Sequence, residues 1–474
     1  MALKIYNVLT RNKEEFVPLE QGKVKMYACG ITVSDNAHIG HAYQAIVFDV
    51  IKKYLNYIGY DVKYVRNYTD VDDKIIAKAK EKNIDPMLLA ETLIAKTDKE
   101  IKLLNVETPT VQARATKCID DIINMISRLI EKGYAYSTEL GNVYFEVSKF
   151  NNYGRFSNRL GDEEISGTRK EIEKDKKDDK DFALWKSSKQ DEIYWESPWG
   201  KGRPGWHIEC STMSMKYLGE QIDIHGGGKD LLFPHHENEI AQSEALTNKQ
   251  FAKYWIHNGL VKVNSQKMSK SLGNSILIED LLKKYDSDSI RLAILQNNYR
   301  SDLNITKNLF NINQNKIYSI YKLFNIIDEK NINTNKIIIN IEDEFKEAMD
   351  NDFNTALAIA NLFNYISEIG KRINSNNYEE AASIKNEIVR IYNVLGILNK
   401  NPKDALDEIK NKFIINNNIS VNYIEEQIKQ RKGYKESKEY EKADKIRDEL
   451  LSKGIVIEDK KEGTTWDIDF TILD

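Results

Sequence analysis

Apolar and polar positions first fall into a regular pattern at Lys23–Cys29 (KVKMYAC), which predicts a short strand ended by Gly30. A turn-rich ITVSDNA follows. Ile39–Tyr57 then carries apolar residues at helical spacing, with Gly59 as its stop signal, and Asp61–Tyr68 reads as a second strand. Strand, loop, helix and strand in this order make a βαβ unit, whose right-handed crossover points to a parallel sheet. Helices are expected at about 85–104 and 116–132, then a hairpin over Tyr134–Phe150 and, after the charge-dense loop 161–181, strand-like FALWK at Phe182. Gln221–Ile224 reads as a strand running into His225 and three glycines. From about 279 to 400 the pattern becomes successive amphipathic helices. It weakens over 400–420, which suggests a linker, and resumes as a helical pair at 421–432 and 437–453 before GIVIED and EGTTWDIDF.

Composition narrows this picture in three ways. The 474 residues are enough for two to four domains, and 41% hydrophobic with 30% charged residues is a soluble, globular balance. Sixty-nine basic against 73 acidic residues exclude wholesale cationic binding but leave room for a local basic track. No apolar run approaches the ~20 residues of a membrane span, and the N-terminus lacks a signal-peptide core. Cys29, Cys118 and Cys210 cannot build a disulfide framework, so reduced thiols and a cytoplasmic location are expected.

All seven histidines lie between residues 38 and 257, which confines the candidate chemistry to the first part of the chain. In HGGGKDLLFPHHENE, the glycine run lets backbone approach a ligand closely, and Pro234 suits the first turn of a helix. On that helix His235 and Glu239 share a face and make half a metal site, with His236 and Glu237 able to orient the ligands. The metalloprotease pattern HExxH is excluded, because Ile240 stands where its second histidine belongs. His38 and His41 flank Gly40 at a helix start, where the positive helix end and two N–H donors suit a phosphate. Lys267-Met268-Ser269-Lys270-Ser271 has the composition of a mobile loop that could fold over a polyphosphate. Cys118, within TKCIDDIINMISRLI, reads as a buried packing thiol.

HIGH near the start of a βαβ unit and KMSKS beyond the last strand together resemble the paired signatures of class I aminoacyl-tRNA synthetases. YACGITVSDNAHIGH, NYTDVDDKI, PWGKGRPGWHIECS, HGGGKDLLFPHHENEIAQSEA, KMSKSLGN and YEKADKIRDELLSKGIVIEDKKEGTTW narrow the resemblance to the cysteinyl-tRNA synthetase family, nearly end to end. It implies an α/β fold: a Rossmann-like parallel-sheet core with a small insertion, an α-helical bundle and a small C-terminal domain. The core would be split between 1–130 and 201–265 around an insertion at 131–200. The KMSKS loop and stem-contact region would follow at 266–310, the bundle at 311–400 and the anticodon-binding domain at 401–474. At QNNYR (296–300), SDLN (301–304) and TTWDID (464–469) the chain departs from the family pattern, at positions associated with tRNA and not with the chemistry.

By the same resemblance Cys29, Cys210, His235 and Glu239 bind one Zn2+. His38, Gly40, His41, Lys267, Ser269 and Lys270 bind ATP with its Mg2+, and the two histidines and two lysines stabilise phosphate charge. Thr69 and Trp206 close the substrate pocket, and Asp230 pairs with the substrate ammonium. The implied reaction joins L-cysteine to tRNA(Cys) through an adenylate, in a monomer. Zinc would act as selector, because a thiolate is a good zinc ligand and a neutral hydroxyl a poor one, whereas shape alone separates such neighbours only ~10–200-fold. Two rivals are a mycothiol-type ligase with an amino-sugar acceptor, whose relatives lack the C-terminal domain, and a non-catalytic tRNA- or zinc-binding module, which has no need of the HIGH and KMSKS pair.

Overall fold

The structure is a computed structural model that describes residues 2–159, 175–189, 192–268, 272–332, 334, 339–460 and 463–470. Ser269 and Lys270, and most of the charge-dense stretch 161–181, lie outside the described residues.

Five parallel strands form the central sheet, in the order Ala252–Asn258, Ile222–Gly228, Lys23–Thr32, Asp61–Thr69, Val111–Arg114. Valine, isoleucine and aromatic residues make up most of their apolar positions, as strands covered on both faces require. The strand order reverses between Lys23–Thr32 and Ile222–Gly228. In such a sheet the crevice beyond the carboxyl ends at the reversal is where ligands bind. Helix Ile39–Tyr57 makes the first crossover. It is buried on two sides, because it packs both on strand Asp61–Thr69 and on helix Ser287–Leu295.

Inserted between the sheet halves is a four-stranded antiparallel sheet of Ala135–Ser137, Val143–Phe145, Phe182–Ser187 and Gly202–Pro204. The predicted hairpin supplies its first two strands. Helix Asp73–Lys82 and strands Val111–Arg114 and Ala252–Asn258 were not anticipated from the sequence.

Among the described residues the second part of the chain is mostly helical between Ile278 and Ser452, interrupted by the short strand Leu303–Ile305, and is followed by an antiparallel hairpin of Ile455–Lys460 and Gly463–Ile468. Residues 400–420 are not a linker. Pro402–Asn416 is a helix capped by Asn401, and its Ala405, Ile409 and Phe413 are buried where it packs on helix Leu309–Asp328. The fully buried Arg291 fastens these helices to the sheet: its Nη2 lies 2.7 Å from Asp49 Oδ2 on the crossover helix, and its Nε donates to the Leu395 carbonyl at 2.8 Å. Among the described residues no helix is long and apolar enough to cross a membrane.

Candidate active site and metal cluster

At the carboxyl end of Lys23–Thr32 the pairing with Asp61–Thr69 is interrupted between Ala28 and Ile31, which sets Cys29 and Gly30 out of register. Only glycine fits at position 30, because a Cβ there would stand 1.6 Å from the Asn67 carbonyl oxygen. The Gly30 N–H instead donates to Asn67 Oδ1 at 2.8 Å. This irregularity presents the Cys29 thiol to the reversal point. Cys210 comes from the buried face of helix Trp206–Leu218.

The third contributor departs from expectation. Pro234 does not open a regular helix: Phe233 before it is extended (φ −141°, ψ 134°), the peptide between them is cis, and the regular helix begins at Glu237 and runs to Thr247. His235 and Glu239 still meet, with Nε2 3.1 Å from Oε1.

Cys29, Cys210, His235 and Glu239 are all buried, and one ligand atom from each lies within 4.8 Å of the others. A second set overlaps it: Cys29, His225, His236 and Glu239. His225 Nε2 stands 3.3 Å from Glu239 Oε2 and 3.6 Å from the Cys29 sulfur. His236 Nδ1 lies 2.7 Å from His257 Nε2, and His207 Nδ1 lies 3.0 Å from His235 Nδ1. Six of the seven histidines are therefore accounted for as five rings around this centre and one helix cap, His38. Glu237, expected beside the metal ligands, turns the other way and accepts the N–H groups of Gly154 and Ser157 at 2.8 and 2.7 Å. Cys118 stays apart from the cluster, buried ahead of helix Ile119–Glu131.

Protonation follows from burial and neighbours. Burial and the adjacent Cys210 raise the Cys29 thiol well above its ordinary range. Cys210 moves the other way, to about 6, because the Cys29 thiol hydrogen-bonds it and His235 lies beside it. Burial would raise the Glu239 carboxyl, but His225 and His235 outweigh it and hold the group well below the carboxylate range. Burial lowers His257 to about 3. Burial would lower His235, but Glu239 and Cys210 outweigh it and raise the ring to about 10. Without a metal the buried cluster therefore sets a protonated imidazole between two anionic donors, and a cation would take that proton's place. Two sulfurs, one imidazole and one carboxylate at this spacing suit a four-coordinate soft or borderline cation.

Beside the cluster is a cleft of about 270 Å3 lined by His38, Gly40, His41, Asp230, Gly259 and Lys267. The two histidines are fixed by the helix start. Gly40 N–H donates to His38 Nδ1 at 3.1 Å, and His38 N–H donates to His41 Nδ1 at 3.2 Å. Their rings stack with centroids 3.7 Å apart. With each Nδ1 accepting, the ring proton of a neutral imidazole resides on Nε2. The segment beyond the KMSKS loop is docked against the same helix start, Ile39 N–H donating to the Ile276 carbonyl at 2.9 Å and Ile278 N–H to that of Ala37 at 3.1 Å. Lys267 is exposed on strand Gln266–Lys267.

Trp206 is 37% exposed and lies over His235 with ring centroids 4.3 Å apart. Thr69 is buried at the end of its strand, where its hydroxyl accepts from Asn67 Nδ2 at 3.5 Å. It lies near Glu209, the neighbour of Cys210, whose carboxyl burial pushes well above the usual range. These two residues therefore belong to the cluster side. Asp230 lies on the cleft side with His38, His41 and Lys267.

The sequence profile of the family "tRNA synthetases class I (C) catalytic domain" matches residues 15–315, and that of the DALR domain matches residues 344–399. The cysteine--tRNA ligase of Geotalea daltonii is 44% identical, the alignment covering 99% of this chain and 100% of that protein. That of Thermodesulfovibrio yellowstonii is 46% identical over 98% and 99%. The chain belongs to the cysteinyl-tRNA synthetase family. Its fold extends to other class I synthetases: a Mycobacterium tuberculosis methionyl-tRNA synthetase in complex with methionyl-adenylate superposes with a TM-score of 0.59 at 14% identity, covering 82% of this chain and 94% of that one. The cleft with HIGH at its wall and the cysteine-containing cluster lie at the same sheet edge, where Gln44, which lines the cleft, donates its side-chain amide to the Cys29 carbonyl.

His207, His225 and His257 are the residues that sequence reasoning left without a role in the cluster, whereas His236, expected to orient the ligands, does lie among them. The one signal for them was the confinement of every histidine to residues 38–257.

Proposed function

We propose that this protein activates L-cysteine with ATP and transfers it to tRNA(Cys), with selection of the thiol at the cluster of Cys29, Cys210, His235 and Glu239. The observation that carries the reading is the adjacency of two unlike sites at one strand-end edge: a buried sulfur-containing donor set and a cleft walled by His38, His41 and Lys267. A zinc ion held by the four donors would supply a soft cation that takes up a thiolate and discriminates against a hydroxyl.

The chain's own residues divide the remaining work. Trp206 and Thr69 would close the amino-acid side, leaving the cysteine carboxylate toward the cleft. That carboxylate attacks the α-phosphorus of ATP, a new P–O bond forms, and the bond to pyrophosphate breaks. His38 and His41, with the ring proton on Nε2, donate to phosphate oxygens as charge develops. Lys267 and Lys270 neutralise the departing pyrophosphate, and Mg2+ arrives with the nucleotide. Asp230 lies close enough to the cleft to hold the substrate ammonium from the nucleotide side. A 2′- or 3′-hydroxyl of the terminal adenosine then attacks the activated carbonyl carbon and AMP leaves. No covalent enzyme intermediate is required.

Residues 401–474 supply anticodon binding in this reading, and the helices that precede them brace the tRNA. The reading takes the protein as a cytoplasmic monomer with reduced thiols, and its three cysteines are free and buried. ATP–pyrophosphate exchange tests the reading: it should require cysteine, ignore serine and fall after chelation. Exchange supported equally by serine would reject it.

A further inference from the structure

We infer that Asp352 is a positioning residue for the nucleotide cleft, acting from the helical part of the chain through the turn 299–302. The inference rests on the reading of the cleft as the ATP site.

Asp352 and Phe353 are consecutive non-glycine residues at positive φ, +66° and +51°, and both are buried. Such backbone persists only where surrounding contacts over-determine it. Here they do, and they converge on Asp352 from three directions. Its Oδ1 accepts the Tyr299 hydroxyl at 2.8 Å and the Tyr6 N–H at 2.8 Å, and its Oδ2 accepts Arg300 Nε at 2.9 Å. Its own N–H donates to the Lys4 carbonyl at 2.8 Å. One buried carboxylate therefore grips both the strand Lys4–Asn7, which pairs antiparallel with Asn12–Glu15, and the Tyr299–Arg300 turn.

That turn is the underside of the cleft. The Tyr299 carbonyl accepts the Gly259 N–H at 2.8 Å, and Asp302 Oδ1 accepts the Leu260 N–H at 3.0 Å. The fit is close: a Cβ on Gly259 would stand 2.0 Å from the Ser301 carbonyl oxygen. Tyr43, on the helix that begins after His38, donates its hydroxyl to the carbonyls of Tyr299 and Ser301 at 2.7 and 2.9 Å. Leu303–Ile305 next pairs with Val261–Val263, which pairs in turn with Gln266–Lys267. Gly259 and Lys267 both line the cleft, so the turn sets the height of its floor and the root of its lysine strand. Asp352 itself lies in the segment that matches the DALR domain. Its carboxylate thus ties that segment to the turn that carries the floor. Misplacement by a fraction of an ångström to 1 Å is enough to impair alignment of reacting groups.

Steady-state pyrophosphate exchange on the full-length, zinc-loaded protein tests this. Asp352→Asn keeps a residue that tolerates positive φ, but sets an amide against donors on both sides. It should raise KM for ATP about tenfold while leaving KM for cysteine and zinc content close to the parent's, and the melting temperature should fall because the ion pair of a buried carboxylate is lost. Tyr299→Phe removes one hydroxyl and leaves the backbone contacts in place, so a rise of about threefold is expected. The double variant should be no worse than Asp352→Asn alone, since both act on one contact. An unchanged KM for ATP, or an equal rise in both KM values, overturns the inference. Lys267→Ala in the same assay separates the two readings. If Lys267→Ala impairs exchange and Asp352→Asn does not, only the positioning role fails. If neither does, the cleft is not the nucleotide site and both fail.

Discussion

The Cys29 sulfur lies 3.1 Å from Oε1 of Glu239, although 210 residues separate them in the chain. The contact exists because a strand carrying a register irregularity and a helix preceded by an extended Phe233 end at the same reversal point of the sheet. Every feature of the proposed selection depends on it.

Cysteine replacement should therefore divide cleanly. Cys210→Ser exchanges a soft, ionisable donor for a neutral hydroxyl and should lose most of the bound zinc, while Cys118→Ser should keep all of it. Elemental analysis after extensive dialysis reads the difference. Equal metal content in the two variants would remove Cys210 from the donor set.

At position 30 the expected effect is on folding. An added methyl in Gly30→Ala would collide with the Asn67 carbonyl, and forced overpacking of this kind costs about 3 kcal/mol. Thermal denaturation should show a large drop, and zinc content should fall with it because the same segment carries Cys29. A variant with parental stability would contradict the backbone geometry described at the strand end.

Much of this was legible in the chain, and the exceptions have physical reasons. The βαβ unit, the glycine run and the paired signature motifs are local patterns, so the core strands Lys23–Thr32 and Ile222–Gly228 and the cleft residues followed from them. His225 and His257 did not, because they converge only when strands Ile222–Gly228 and Ala252–Asn258 lie side by side. Pro234 misled for a different reason: its fitness for a first helical turn says nothing about the extended residue before it. The helix Pro402–Asn416 was mistaken for a linker because Asn and Lys dilute its apolar positions, although Ala405, Ile409 and Phe413 keep helical spacing.

Acid stability offers a test of how the insertion is held to the core. Burial alone would raise the Asp73 carboxyl, but hydrogen bonds from Lys186 and Arg203 outweigh it and lower the group to about 2. A carboxyl depressed in the folded state stabilises above its unfolded pKa of ~3.9 and loses that contribution as pH falls through the folded value. The side chain is 52% exposed, so solvent screening keeps the effect small. Asp73→Asn should lower the melting temperature at pH 7 by a few degrees or less, with the gap to the parent closing between about pH 5 and pH 2. A gap that stays constant across this range would mean that the ion pairs contribute nothing.

Lys267→Ala and Lys270→Ala should each slow adenylation about a hundredfold, the usual consequence of losing one preorganised contact to developing charge, with zinc content unchanged. Single-turnover formation of the adenylate is the measurement. A rate within threefold of the parent would remove that lysine from the mechanism.

The central claim is that the cluster selects cysteine by direct bonding to its sulfur, and cobalt substitution tests it most directly. With cobalt at Cys29, Cys210, His235 and Glu239, adding cysteine should strengthen the sulfur-to-metal charge-transfer band, because a further metal–sulfur bond forms, and serine should leave the band unchanged. If cysteine leaves the spectrum unchanged while cysteine-dependent pyrophosphate exchange proceeds at its normal rate, the metal does not touch the substrate and the account of selectivity is wrong.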